Sequence, residues 1–195
     1  VRAISKLLPD DNFSTAPLIT DREAWDSWRD HSFGQRILQE AREAVSNPAP
    51  TITDTVFLDC LKNKDVTEYN AMNLATRTQF NVLILAEAIF DEGEFLPLIE
   101  RDVRSLAQSS TWVHPNNDLL SKNFDGESQD NDLHSLHHAI SFALIHHVLG
   151  ARLTDELRAL IFSEVNRRVF IPLRERIESG RDRYWWLIVK HNWNS

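Results

Sequence analysis

Apolar side chains recur every three or four residues along most of the chain, which is the period of a helix with one buried face. The clearest stretch is 68–90, where Leu74, Val82 and Ile89 fall on that period. Further helices are predicted over 21–46 (divided at Gly34), from Thr53 to Leu61, and over 94–108, 130–149 and 154–179. The pattern predicts an all-α fold of antiparallel helical hairpins, which curl into either a solenoid or a closed α/α toroid.

Two segments depart from this pattern. Residues 1–20 have no period and contain Pro9 and Pro17, which predicts an irregular arm. Residues 109–130 are rich in turn formers, and a loop of about twenty residues inside a compact domain is often functional. We interpret 1–195 as a single helical domain. The Val1 start and the end at Ser195, directly after an aromatic segment, favour an N-terminal fragment of a larger protein.

Composition excludes several classes of function. The chain carries 21 Lys and Arg against 29 Asp and Glu, a net charge of −8, whereas a general nucleic-acid binder needs a basic surface. Its single cysteine, Cys60, rules out an intrachain disulfide and a thiolate zinc site. No apolar run reaches the ~18 residues of a membrane span. We therefore expect no nucleic acid, no membrane, no metal and no cofactor.

Three groups of polar residues are weaker candidates. His134 and His138 have the spacing of a helical zinc site, but the Glu usual between such histidines is missing, which favours packing against Trp and Tyr. Asp118, Asp130 and Asp132 could serve a glycosidase, although a helix N-cap is the simpler role for either Asp130 or Asp132. The arginines over 167–183 are interpreted mainly as a solvated helix face paired with Glu164, Glu175 and Glu178.

The most specific feature is the segment from Tyr184 to Asn194, where aromatic residues alternate with amides. Aromatic faces stack on sugar rings, and amide and imidazole groups bind hydroxyls and carboxylates. An aromatic core would explain Trp185 and Trp186. It does not explain the amides, because buried amides must be paired. The segment therefore favours a carbohydrate cleft.

Within this segment, Tyr184-Trp185-Trp186 followed by Asn192-Trp193-Asn194 resembles the Asn-Trp-Asn segment of heparinase II/III-like polysaccharide lyases. Three further stretches resemble that family in the same order: Trp112–Pro115, Asp132–Ser135 and Glu164 to Leu173. The resemblance is strongest over 109–195. It implies an α/α toroid and β-elimination on a polysaccharide that contains uronic acid.

Such lyases neutralise the uronate carboxylate, remove the C5 proton with a Tyr or His base, and protonate the leaving O4. The resemblance implies that Asn192 and His191 are catalytic, although His191 stands where a second Asn is usual. The substrate-binding residues that it implies are Trp193, Asn194, His114, Trp112, Trp186, Asp132 and His134. It places the catalytic Tyr, a second His and a β-sandwich beyond Ser195, so we expect this chain alone to be inactive without a missing C-terminal half.

The expected ligand is an acidic polysaccharide or oligosaccharide, and the expected location is periplasmic or secreted. Two alternatives stay open at this point. One is a glycoside hydrolase built on an α/α toroid. The other is a non-catalytic helical scaffold that binds a glycan or a protein.

Overall fold

In the computed structural model, which describes residues 16–179, every regular element is helical. The α-helices are α1 (Arg22–Asp26), α2 (Ser32–Ser46), α3 (Asp54–Asn63), α4 (Thr67–Phe90), α5 (Leu96–Gln108), α6 (Leu133–Leu149), α7 (Asp155–Val165) and α8 (Ile171–Ser179). Short 3-10 turns lie at Pro115–Asn117 and Gly150–Arg152, and a π-helical turn at Asn166–Phe170 joins α7 to α8. The predicted all-α class is confirmed.

Residue types at the helix ends explain several of these bounds. Thr53 and Thr154 cap α3 and α7, because their hydroxyls accept the backbone N–H groups of Val56 and Leu157 at 3.4 and 3.1 Å. Helix α2 ends just before Pro48, which cannot continue a helix. These starts and stops agree with the expectations from sequence to within a few residues.

The division of the first helical stretch is confirmed, but it precedes Gly34. Helix α1 ends at Asp26 and α2 begins at Ser32, so Gly34 lies in the first turn of α2. A Cβ atom on Gly34 would lie 1.9 Å from the Trp28 carbonyl oxygen. Glycine is therefore required here because the backbone of the preceding turn approaches closely.

Gly34→Ala should lower the free energy of unfolding by about 1–3 kcal/mol, because the turn at Trp28 must move to admit a methyl group. Urea unfolding followed by circular dichroism measures the change. Gly150→Ala is the matched control, since a Cβ there meets nothing within 4 Å and the backbone is already helical. Equal stabilities for the two variants would show that the close approach of the Trp28 carbonyl does not require glycine at position 34.

Helices α4 and α6 lie side by side and run in the same direction. Near their starts, Nδ2 of Asn73 lies 2.7 Å from Nδ1 of His134. Near their ends, both helices contact segment 19–22, which hydrogen-bonds Ala88 of α4 and Val148 of α6 at 2.7 and 2.8 Å. Because the start of α4 lies beside the start of α6, and the two helices also end near each other, α4 and α6 are parallel.

Helices α5 and α7 are parallel in the same way. Asp91, just before α5, pairs with Arg152, just before α7, at 2.5 Å. At the far ends of the two helices, Arg168, just after α7, donates to the carbonyls of Ala107 and Ser109 at the end of α5, at 3.2 and 2.6 Å. The hairpins α4–α5 and α6–α7 therefore stack side by side in the same orientation. Helices α4 and α6 form one layer, and α5 and α7 form the second.

A continuous apolar core lies between these layers. Its central side chains include Phe80, Leu83, Ile99, Val103, Phe142, Ile145 and Leu157. Leu74, predicted on the buried face of α4, is instead 64% exposed. The reason is that polar Asn73 and Thr76 take the buried positions in this half of α4, which bears on the site described below.

Among residues 16–179, none of the helices combines the length and the apolar content needed to cross a membrane.

Candidate functional site

A group of imidazole and phenol side chains gathers where α4 and α6 begin. The connection from α5 to α6 passes over this end of the stacked hairpins. The group, which we call the histidine cluster, consists of Tyr69, His114, His134, His137 and His138. The ring centroids of His114 and His134 are 4.3 Å apart, and that of Tyr69 lies 5.3 Å from His114. The predicted loop and the helix that follows it therefore bring two of the predicted binding residues into contact.

Asp132 holds the loop against the start of α6. One carboxylate oxygen accepts the Ser135 N–H at 2.9 Å, and the other accepts the His114 N–H and Nδ2 of Asn117, both at 2.8 Å. The Ser135 hydroxyl accepts the Asp132 N–H in return, which completes a capping box. The predicted N-cap is confirmed at Asp132. Since both oxygens accept hydrogen bonds within the protein, the role of this carboxylate is to hold the loop and the start of α6 in position.

The ring of His114 has a defined tautomer. Its Nδ1 accepts the Asn116 N–H at 3.1 Å, so the neutral ring carries its proton on Nε2, which donates to Oδ1 of Asn70 at 2.9 Å. Burial lowers the pKa of His114, although the negative charge of Asp132 opposes that effect. His114 is only 6% exposed. It therefore orients Asn70, an exposed residue whose NH2 group can donate to a ligand.

His134 is the more accessible partner of the pair. Its Nδ1 accepts a hydrogen bond from Nδ2 of buried Asn73, so the neutral ring carries its proton on Nε2. Burial, and next the neighbouring His114, lower the pKa of His134 to about 4, against the opposing effect of Asp132. At neutral pH the half-buried ring is therefore a neutral hydrogen-bond donor.

Tyr69 lies beneath these rings and is 3% exposed. Burial raises the pKa of Tyr69 well above its ordinary value, and the charge of Asp132 raises it further. The phenol therefore keeps its proton at neutral pH. Tyr69, Asn70 and Asn73 were not predicted as site residues. The signal that could have found the two amides is their three-residue spacing, which places both on one face of the predicted helix.

Trp112 and His138 lie on the buried side of the cluster. The Trp112 ring is 1% exposed, with its centroid 5.7 Å from that of His138 and 5.0 Å from the guanidinium carbon of Arg168. The favoured interpretation of His138 as a packed histidine is confirmed, and burial lowers its pKa to about 3. Since protein covers the faces of the Trp112 ring, the geometry gives it a supporting position rather than a sugar-stacking one.

Arg168 corrects the prediction of a solvated arginine face. Its side chain is 2% exposed and donates to Glu164 at 2.8 Å, as well as to the carbonyls that close α5. The reason is that Glu164 and Arg168, four residues apart, share the helix face that turns toward the core. Arg167 does follow the prediction: it is exposed and pairs with Glu164 at 2.6 Å. Arg176 pairs with Asp130 at 2.7 Å.

The carboxylates of the hydrolase alternative hold the loop together. Asp118 is 3% exposed and accepts the N–H groups of Asn123 and Phe124 at 3.0 and 2.9 Å. Asp130 accepts from Nδ2 of Asn123 at 3.0 Å and pairs with Arg176 at 2.7 Å. Together with Asp132, these carboxylates fix backbone and side chains, an arrangement that does not favour acid–base hydrolysis.

Across residues 16–179, no group of three or more His, Cys, Asp or Glu side chains is arranged to hold a metal ion.

Five of the predicted site residues lie outside the described residues: Asn192, His191, Trp193, Asn194 and Trp186.

In comparisons with known proteins, no family model matches this chain and no curated protein matches it.

Proposed function

We propose that this chain is the helical part of a polysaccharide lyase that cleaves uronic-acid-containing glycans by β-elimination. The observation that supports this most is the contact between His114 and His134, with ring centroids 4.3 Å apart. These residues lie in two stretches that resemble the lyases, Trp112–Pro115 and Asp132–Ser135. A structural cluster of neutral donors thus coincides with the segments that carry the resemblance.

The chemistry of the cluster suits an acidic sugar. In β-elimination, removal of the C5 proton places negative charge on the uronate carboxylate, so fixed donors aimed at that group lower the barrier. The exposed amide of Asn70 and the Nε2–H of His134 are donors that adjacent protein groups hold in place. By the resemblance, Asn192 and His191 would act on the same carboxylate.

The stacked hairpins support the architecture proposed with this function. An α/α toroid repeats antiparallel hairpins with all first helices in one layer and all second helices in the other. The hairpins α4–α5 and α6–α7 repeat in this manner, with parallel α4 and α6. We propose that further hairpins close the ring. Residues that the resemblance places after Ser195 would supply the catalytic Tyr, and a periplasmic or secreted location is proposed with this function.

The test is product formation by the protein in its natural full length. It is incubated with alginate, heparan and chondroitin-type polysaccharides, and the absorbance of the unsaturated uronate product is followed. We expect absorbance to rise with at least one of them. Reducing sugar without the unsaturated chromophore would instead indicate a hydrolase, and binding without either product would indicate a scaffold.

Asn192→Ala should lower kcat/KM about tenfold to hundredfold on the substrate so identified. The variant loses a hydrogen bond to a charged carboxylate, which is worth about 1.5–3 kcal/mol. Asn63→Ala, at an exposed position at the end of α3, controls for the loss of an amide elsewhere. Unchanged kcat/KM in Asn192→Ala would contradict the role that the resemblance implies.

A further inference from the structure

Beside the histidine cluster lies a cation without a carboxylate partner. Arg77 is half-buried on α4, and within residues 16–179 its guanidinium forms no ion pair or hydrogen bond with another side chain or carbonyl. Arginines with accessible carboxylates nearby usually pair, as Arg42 does with Glu94 at 3.0 Å. The position of Arg77 is therefore of interest for binding a ligand.

The parallel register of α4 and α6 determines what faces Arg77. Asn73 lies against His134, at 2.7 Å between nitrogens. One helical turn further along α4 is Arg77, and one turn further along α6 is His137. Arg77 and His137 therefore occupy matching levels of the two helices. The pKa of His137 agrees with this placement, since burial lowers it most and the positive charge of Arg77 lowers it next.

His137 contributes a second feature that points to a ligand. Its Nδ1 atom is buried and has no hydrogen-bond partner in the described part of the chain, although the residue itself is half-exposed. A buried ring nitrogen without a partner costs free energy. Rotation of the half-exposed ring that brings this nitrogen to a bound polar group would recover that cost. The other charge that acts on His137 is that of Asp132, whose oxygens are already engaged at the cap of α6.

We propose that Arg77 and His137 form an anion-binding subsite for the carboxylate of a uronate residue, next to the sugar held at His134. The guanidinium fork matches a carboxylate bidentately, which makes arginine the preferred partner for this group. The step from Asn73 to Arg77 spans about one helical turn, ~5.4 Å, close to the length of one sugar residue in a glycan. The inference rests on the proposed function for its choice of ligand.

The subsite also explains how an acidic chain of net charge −8 can hold a polyanion. Electrostatic attraction over the whole surface is unfavourable for such a ligand. A local cation beside neutral donors supplies the attraction where the carboxylates lie. The specificity that follows is for carboxylated sugars over neutral sugars of the same shape.

The experiment compares an oligouronate with the same oligosaccharide after its carboxyl groups are reduced to alcohols. Affinities are measured by isothermal titration calorimetry with the full-length protein, its Arg77→Gln variant and Arg36→Gln. Arg36 is exposed on α2, so its replacement controls for the change in net charge. We expect Arg77→Gln to bind the oligouronate about tenfold more weakly, with no change on the reduced ligand.

His137→Phe tests the second residue of the subsite. It should weaken oligouronate binding in the same direction as Arg77→Gln, while circular dichroism shows an unchanged helical spectrum. A wild-type protein that does not prefer the oligouronate, or an Arg77→Gln variant that keeps the full preference, would overturn the subsite.

The subsite and the lyase function fail separately. Preferential oligouronate binding that depends on Arg77, without any unsaturated product, would sink the lyase proposal and leave the subsite standing. If wild type and Arg77→Gln form the unsaturated product with equal kcat/KM and bind the oligouronate with equal affinity, the subsite is refuted and the lyase proposal stands.

Discussion

Arg168→Met should lower the free energy of unfolding by about 3–5 kcal/mol, the cost of removing one partner of a buried ion pair. Arg168 is 2% exposed and donates at 2.8 Å to Glu164. Burial would raise the pKa of Glu164, but the hydrogen bonds from Arg167 and Arg168 outweigh it and lower that pKa. Methionine can fill the space of the arginine stem but leaves Glu164 with only the exposed Arg167 as a cationic partner among the described residues.

The same substitution removes donors from the end of α5. The guanidinium of Arg168 donates to the carbonyls of Ala107 and Ser109, and its carbon lies 5.0 Å from the centroid of the Trp112 ring. Arg168 therefore joins α5, the start of the loop and α7. Its loss should also disturb the residues that follow Trp112, including His114.

Urea unfolding measures the stability change, as a lower midpoint at unchanged m-value. For a chain of this size, the loss corresponds to a fall in Tm of roughly 6–20 °C. Arg167→Met is the matched control, because Arg167 pairs with the same carboxylate from an exposed position and such pairs are worth about 0–1 kcal/mol. Arg168→Lys should fall between the two, since it keeps the charge but not the fork. Equal stabilities for Arg167→Met and Arg168→Met would refute the buried role.

Acidification from pH 7 to pH 5 should destabilise the fold by about 2 kcal/mol through His138 alone. The folded pKa of His138 is about 3, lowered mainly by burial and next by the charge of His134. In the unfolded chain its pKa is about 6.5. As pH falls through 6.5, His138 becomes protonated in the unfolded chain but stays neutral in the folded chain. The stability contributed by the neutral ring is complete above pH 6.5 and is lost progressively as pH falls from 6.5 toward the folded pKa of about 3.

His134 acts in the same direction over the same window. Its folded pKa of about 4 is again below the unfolded value, with burial as the largest cause. Ordinary carboxylates stay mostly ionised down to pH 5, so the window between pH 7 and 5 reports mainly on histidines. The stability loss in this window should therefore exceed that of His138 alone.

The measurement is the free energy of unfolding in urea at several pH values between 7 and 5. His138→Gln should flatten the pH dependence by about 2 kcal/mol over this range, whatever its effect on stability at pH 7. His146→Gln, at an exposed position of α6, is the matched control for replacing a histidine by glutamine in the same helix. An equally steep pH dependence in His138→Gln and wild type would contradict the buried neutral imidazole.

Much of the fold follows from local pattern. The period of apolar residues over 68–90 predicts α4 nearly to its observed bounds, Thr67–Phe90, because a long amphipathic stretch has few other ways to bury its apolar side chains. Proline and the capping residues predict helix ends, since each acts through its own backbone neighbours. The exposure of Leu74 could not be predicted, because the apolar period alone does not show which positions the neighbouring helix covers.

The candidate site was only partly predictable, and for the same reason. His114, Asp132 and His134 were singled out because they lie in an unusual loop and in segments of family resemblance. Asn70, Asn73 and Arg77 were overlooked because they lie inside a helix whose overall pattern indicates core. Their involvement depends on α6 lying parallel to α4, and nothing local to either helix specifies that.

The sequence by itself determined the helices, the loop at 109–130 and the polar chemistry available to the protein, since these depend on residues close together along the chain. Only the tertiary structure decided that Arg168 is buried with Glu164, that Asp118 and Asp130 are occupied in holding the loop, and that the charge of Arg77 acts on His137. Each of these rests on contacts between side chains whose burial and charge balance depend on which helices pack together. Such long-range packing is set by the whole core, and no window of the sequence contains it.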